Sequence, residues 1–486
     1  MTRTDFAFRI TAAGRAVAVL LGLAALDGGL GGAEAPESYL RTWNDPAIQQ
    51  RIDRGIETHR KRDIAIELVD PDGRPMADAP VEVRQTTHEF LFGCNAFVLG
   101  QLDSPEKNRR YEEAFLRLFN FATVPFYWAG TEPVEGELRY TEGSREIWRR
   151  PPPDRLVAWA KRHGVRLKGH PLLWHAHNPP WLPKEPDALR SLYQKRFTEI
   201  ADRYAREIPI WDVVNESLVC PTSYPLWTAD RDYVRWAFAE AASRFPADTT
   251  LMINDVTMFN FRPASDRYFE QIKSLLDRGA AIRGIGFQYH YFRREALDKY
   301  FTSGQCDPGK LLDVYEQFGE FGLPLYVTEV TIPSAGQGGD ELQAQLVRDH
   351  YRLWFSAPRM AGITWWNLGD GTAVAGENEA KGGLVDERFE PKPAYHALDR
   401  LINHEWKTRL DLKTDSRGML RFRGFPGRYS LRIAVAGREF DIDIEPPQPG
   451  AELRRVVIPG APAANGERGD KPTAPASAQR EPVTGP

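Results

Sequence analysis

Eight short apolar segments recur along this chain, and each is followed by an amphipathic helical pattern. The segments are Phe90 to Ala96, Phe121 to Trp128, Val165 to Trp174, Ile208 to Glu216, Thr250 to Val256, Ala281 to His290, Leu323 to Val330 and Gly362 to Asn367. Near-continuous apolar runs of this length fit strands buried on both faces, and an intervening helix after each makes neighbouring strands parallel. Ser104-Pro105 opens one helix as cap and first-turn proline, and Pro153 to Arg162 stops at Gly164. Further helical patterns cover Leu189 to Glu207, Tyr233 to Phe245, Asp266 to Asp277, Leu311 to Phe321, Glu341 to Phe355 and Pro393 to Glu405. Eight strand-helix pairs predict an α/β fold, the (β/α)8 TIM barrel, whose functional residues gather at the carboxyl ends of the strands.

The polar residues at those ends are Asn95, His170 with Trp174 and His175, Asn215 with Glu216, Asn254 with Asp255, Gln288 with His290, and Glu329. Two strands share one design. Ile208 to Glu216 and Leu323 to Glu329 are apolar runs tipped by glutamate, and neither an amide nor a carboxylate is stable in a dry core without partners. Either glutamate alone fits a solvated or ion-paired strand end. The matched pair points to cleavage of a glycosidic bond, which needs two carboxyl groups.

The remainder bounds what surrounds this pair. A length of 486 residues suits one barrel with smaller attachments. Residues 1–35 read as a signal peptide: Arg3, Arg9 and Arg15 precede the apolar run Ala16 to Leu26, which is shorter than the ~20 residues a membrane span needs. A secreted or periplasmic location follows, with no stable membrane insertion after export. Residues 36–89 form an N-terminal helix/β prelude, in which Ile64, Ile66 and Leu68 alternate before an Asp72-Gly73 turn and Val81 and Val83. The barrel is expected over 90–406 and a small all-β appendage in contact with the prelude over 407–459. The Pro-, Ala- and Gly-rich stretch 460–486 reads as a disordered tail. A net charge of −4 offers no basic face for nucleic acid. Cys94, Cys220 and Cys306 leave at least one thiol unpaired and have no metal spacing.

Five blocks carry a family resemblance: Gly169-His170-Pro171-Leu172-Leu173-Trp174-His175, Trp211-Asp212-Val213-Val214-Asn215-Glu216, Gly286-Phe287-Gln288-Tyr289-His290, Val327-Thr328-Glu329 and Glu390-Pro391-Lys392-Pro393-Ala394-Tyr395. The chain from about Phe90 to Trp406 resembles glycoside hydrolase family 10, the β-1,4-xylanases on a (β/α)8 barrel. The resemblance implies a retaining hydrolase in which Glu216 is the acid/base and Glu329 the nucleophile, with carboxyl groups ~5–5.5 Å apart. It also implies that Asn215 holds the sugar 2-hydroxyl, that His290 bonds the nucleophile, and that His170, Trp174, Gln288 and Trp366 line the sugar beside the break. The substrate implied is xylan or a related polysaccharide or oligosaccharide; no cofactor is implied, and a monomer is expected. Other readings stay open, namely a hydrolase of another β-linked glycan or a glycan-binding barrel without hydrolysis.

Simpler roles exist for several of these residues. Trp174 and Trp366 suit barrel core as well as sugar stacking. Asp212 suits a structural hydrogen bond, and Asn254 with Asp255 a packed, satisfied pair. His170, His175 and His177 lack the acid and lysine pattern of a barrel metallohydrolase, so no metal site is expected. The chain also departs from the family. Val124-Pro125-Phe126-Tyr127-Trp128 stands where a Glu-Asn-x-x-Lys-Trp type segment is usual, with Tyr127 near the lysine position. Val330-Thr331-Ile332 replaces Leu-Asp-Ile, His177 replaces a glutamine, and Gly371 to Glu377 has no counterpart of a second tryptophan.

Overall fold

A computed structural model describes residues 35–256, 262–435, 437–445 and 454–459. The expected signal peptide, apart from its last residue, and the expected disordered tail lie outside the described residues.

The strands in chain order are β1 (Arg62–Val69), β2 (Pro80–Gln85), β3 (Leu91–Asn95), β4 (Phe121–Pro125), β5 (Arg166–His170), β6 (Leu173–Trp174), β7 (Ile210–Asn215), β8 (Thr250–Asp255), β9 (Gly284–His290), β10 (Leu325–Thr331), β11 (Met360–Trp365), β12 (Arg409–Lys413), β13 (Met419–Gly424), β14 (Tyr429–Val435), β15 (Arg438–Ile444) and β16 (Arg454–Val457). Parallel pairing runs from β5 through β4, β3, β11, β10, β9 and β8 to β7, and β7 pairs back onto β5. The sheet closes as an eight-stranded barrel, with helices between its strands. All the residues of β3, β4, β7 and β10 are buried, as expected of strands covered on both faces. Leu91, Phe121, Ile210, Met252 and Tyr326, from five different strands, pack together in a cluster of their own.

The helix signals act locally as read. Ser104 Oγ accepts from Lys107 N at 3.2 Å and opens the helix Pro105–Leu118, while Gly164 ends Pro153–His163 in a left-handed conformation at φ 66°. Three details differ from expectation. The strand expected through residue 174 breaks at Pro171, which has no N–H to give a ladder, and resumes as the short β6 against Val214 and Asn215. The strand expected through 128 ends at Pro125, and Trp128–Thr131 makes one helical turn. A helix over Arg294–Thr302, which the sequence pattern did not single out, precedes the expected one at Pro308–Gly319.

The prelude and the C-terminal strands build one β module. β1 pairs antiparallel with β13 and parallel with β16, while β2 lies between β12 and β14, with β15 beyond. Ile66, Leu68 and Val83 from one end of the chain and Leu420, Leu431 and Ile433 from the other fill its core. The module abuts the barrel where β11 begins. Trp406 and Phe425 pack on Phe355, and Arg60 donates to the carbonyls of Phe355, Ala357 and Met360. The site described below lies at the opposite strand ends.

One glycine fixes how β5 meets its neighbour. A Cβ at Gly169 would fall 2.2 Å from the indole of Trp211, which is wholly buried. Gly169→Ala should therefore cost about 1–3 kcal/mol in urea denaturation through overpacking. Gly319→Ala, where a Cβ meets nothing within 4 Å, should be neutral or slightly stabilising in the same assay.

Candidate active site

Parallel register brings polar residues of successive strands to one level at the carboxyl ends of the barrel. Trp174 stands beside Asn215, Asn215 beside Asn254, Gln288 beside Glu329, and His290 beside Thr331. Glu216 follows β7 directly and sits in a left-handed backbone conformation, φ 56°. A non-glycine residue holds that conformation at a cost unless its surroundings enforce it. Here Glu216 N donates to Asn254 O at 2.8 Å, and Ser217 Oγ and Leu218 N donate to Asp255 Oδ2 at 3.0 and 2.9 Å. Burial pushes the Asp255 carboxyl up to about 7, against the pull of the Leu218 and Ser217 hydrogen bonds.

The two glutamates join one hydrogen-bond network. Gln288 Nε2 donates to Glu216 Oε1 at 3.1 Å, and Trp174 Nε1 donates to Glu216 Oε2 at 3.0 Å. Asn254 Nδ2 donates to both Asn215 Oδ1 and Glu329 Oε1, at 2.8 and 2.9 Å. Gln288 Nε2 also lies 3.4 Å from Asn215 Oδ1, which completes a path of amides from one carboxyl group to the other. His290 Nε2 is 3.1 Å from Glu329 Oε2, and its Nδ1 is 2.9 Å from Thr331 Oγ1. Side chains of consecutive strand residues normally point to opposite faces, yet Thr328 and Glu329 both bond Asn254. The pairing of β10 with β9 shifts register between Val327 and Glu329, and this irregularity turns both toward the same amide.

The surroundings separate the two carboxyl groups chemically. Burial raises the Glu216 carboxyl and the Glu329 charge raises it further, against hydrogen bonds from Gln288 and Trp174, so it stays above the ordinary glutamate range. Burial also acts to raise Glu329, but the His290 hydrogen bond and the fields of His170, His290 and Lys168 overcome it and hold Glu329 down at about 2. At neutral pH Glu329 is a carboxylate, so His290 Nε2 donates to it.

Of the residues singled out from sequence, Trp174, Asn215, Glu216, Gln288, His290 and Glu329 share this network. His170 stands behind it. Its Nδ1 and Lys168 Nζ both lie 2.7 Å from Asp212 Oδ2, and all three residues are buried. Trp366 is 5% exposed, with its ring 5.6 Å from that of His290 and 5.2 Å from that of Phe97. Asn254, read from sequence as packing, is fully buried and is the link between Asn215 and Glu329. Its place at a strand end was the available signal. Thr328 lies inside one quoted block and Lys168 just before another, and neither carried a signal of its own. His175 and His177 are lowered by burial, His177 to about 4, and among the described residues no group of His, Cys, Asp and Glu is arranged to hold a metal ion.

Comparison with known proteins places this arrangement. The sequence model of glycosyl hydrolase family 10 matches residues 133–400, over half of the chain. The chain belongs to glycosyl hydrolase family 10. It is a xylanase-like glycoside hydrolase on the closed barrel described above. Endo-1,4-beta-xylanase B of Thermotoga neapolitana is 28% identical over 316 residues, which span 62% of this chain and 85% of that protein. Anti-sigma-I factor RsgI6 of Acetivibrio thermocellus is 24% identical over 408 residues, 82% of this chain but only 47% of its own length. The crystal structure of native xylanase 10B from Thermotoga maritima shares the fold with a TM-score of 0.54, at 24% identity, covering 65% of this chain and 96% of that one. The family match begins after β3 and β4, at Pro133. The departing segment Val124 to Trp128 lies upstream of it.

The network makes opposite demands on Glu216 that substitutions can separate. Glu329→Gln removes a neighbouring negative charge and should lower the Glu216 titration midpoint. Gln288→Leu removes a donor to the ionised carboxylate and should raise it. Carboxyl-carbon NMR titration of Glu216 reads both, and shifts of the same sign would refute the electrostatic account.

Proposed function

We propose that this chain is a retaining endo-β-1,4-xylanase in which Glu329 is the nucleophile and Glu216 the acid/base. The observation that carries the reading is the opposite bias of two carboxyl groups in one network, Glu329 held ionised and Glu216 held toward its protonated form. Supporting it are the family membership and the xylanase name borne by the Thermotoga neapolitana relative.

The chemistry follows from that bias. Glu329 attacks the anomeric carbon while Glu216 gives its proton to the departing oxygen, leaving a glycosyl ester on Glu329. Esterification removes the Glu329 charge, and with it one of the influences that raise Glu216. Glu216 then accepts a proton from water, which attacks the same carbon and restores the starting configuration. His290 and Asn254 hold the two Glu329 oxygens, so the attacking carboxylate is oriented before substrate arrives. Asn215, whose oxygen accepts from Asn254, faces the same cluster and is assigned to the sugar 2-hydroxyl, with Trp174, Gln288, His170 and Trp366 lining the sugar beside the break. The chain acts after export, a reading supported by the basic and then apolar leader Arg3 to Leu26. A reporter fused behind residue 35 should leave the cytoplasm, and its retention would remove the export proposal.

Incubation with xylan should release short β-1,4-xylo-oligosaccharides, with the β-anomer appearing first by proton NMR. Glu216→Ala should slow xylan cleavage about 10²–10⁴-fold, yet spare the first step on aryl xylobiosides whose leaving group needs no proton. Glu329→Ala should abolish turnover of both. An α-anomer first, or full activity in Glu329→Ala, would overturn the assignment. In a panel of β-linked glycans, faster turnover of a glycan other than xylan would move the substrate and leave the carboxyl roles standing.

A further inference from the structure

Many arginines among the described residues are paired in one of two ways. Some pair with carboxylates near the surface, as Arg51 does with Asp313 and Arg117 with Asp399. Others donate to several oxygens. Arg196 donates to the carbonyls of Leu172, Pro171 and Phe126 and to Thr131 Oγ1, and Arg60 to three carbonyls. A guanidinium carries five N–H donors, and leaving them unmatched in a partly buried position is costly.

Arg150 fits neither group. It is half-buried at the end of the segment that follows β4, with its guanidinium carbon 3.9 Å from the Tyr127 ring centroid. Its one side-chain hydrogen bond among the described residues is from Nη1 to the carbonyl of Arg149, at 2.8 Å. Beside it Arg149 is 3% exposed, donates through Nη1 to Asn367 Oδ1 and to the Thr372 carbonyl, and leaves Nε without a partner. Neither arginine has a carboxylate within 4.0 Å among the described residues. Glu377 is the carboxylate that acts on both from further away, and its Oε2 accepts from Asn367 Nδ2.

Two adjacent cations therefore lack a carboxylate in direct contact, and their position is specific. The Tyr127 ring under Arg150 touches the rings of His170, Trp174 and His177 at centroid distances of 5.1–5.5 Å, and Trp174 holds Glu216. Arg150 is thus two side chains from the candidate acid/base, at the β4 end where the chain departs from the family pattern. Arg149 at the same time fastens the loop after β11, in which no second tryptophan stands.

We propose that Arg150, backed by Arg149, is a subsite for a carboxylate carried by the substrate, and that the preferred glycan is decorated with uronic acid. A guanidinium matches a carboxylate with two parallel N–H donors, and here the Tyr127 ring lies beneath its carbon. The proposal deepens the hydrolase reading and rests on it for the identity of the main chain of the glycan.

The test compares 4-O-methylglucuronoxylan with the same polymer after chemical reduction of its carboxyl groups. The protein should favour the acidic polymer about tenfold or more in kcat/KM, a preference that narrows in 0.5 M NaCl. In Arg150→Gln and Arg150→Met the ratio should fall toward one, and Arg150→Lys should recover part of it; circular dichroism confirms that each variant is folded. A ratio near one in the parent protein, or a ratio unmoved in the folded variants, would overturn the uronate subsite. Binding of both polymers to Glu329→Gln by calorimetry separates the two proposals. Preferential binding of the acidic polymer without cleavage by the parent protein would uphold the arginine site and sink the hydrolase reading, and equal binding and cleavage of both polymers would do the reverse.

Discussion

Two carboxyl groups that share one water-poor network repel each other when both are ionised, and every feature of this barrel mouth bears on how that repulsion is resolved. Glu329 receives the donors and the positive field, whereas Glu216 receives burial and a negative neighbour. The amides of Asn215, Asn254 and Gln288 let the pair coexist, since each carboxyl group has donors on both oxygens. An asymmetry of this kind assigns acid and nucleophile by environment, although both side chains are glutamate.

Holding those donors in place is a packing problem solved by small residues. A Cβ at Gly286 would fall 2.5 Å from Asn254 Oδ1, so that strand position must be glycine for the amide to reach Glu329 and Asn215 together. Gly169 makes the same concession to Trp211. Behind the site, Asp212 takes donors from Lys168 and His170 on a single oxygen. A buried ion pair is a weak source of stability but a firm constraint on geometry, because removal of one partner strands the other charge. It fixes His170, against which Tyr127 and Trp366 pack edge-on. The rings that line the mouth are thereby tied to the ionic core beneath them.

The opposite strand ends have a different role. There the β module joins residues 62–85 to residues 409–457 in shared sheets with a core of their own. Trp406 stacks on Phe355 at 4.0 Å, and Arg60 saturates three carbonyls where β11 begins. The module thus fastens the two ends of the barrel segment to each other at the face remote from the carboxyl pair. Strand closure and site geometry are left to the barrel.

Much of this was legible along the chain. Apolar runs spaced by helical patterns named all eight barrel strands, and capping residues such as Ser104 and Gly164 marked helix ends, because periodicity and caps are local properties. Glutamates at matched strand tips drew attention to Glu216 and Glu329 for the same reason. The sequence could not reveal that Asn254 bridges to Glu329, that the register of β10 slips at Thr328, or that β1 lies between β13 and β16. Nor could it reveal that Arg150 stands over Tyr127 with no carboxylate in contact among the described residues. Each depends on which residues of different strands or loops come to the same level once the sheet closes. Alternation within a strand says which face a side chain takes, and only the register between strands says what it meets there.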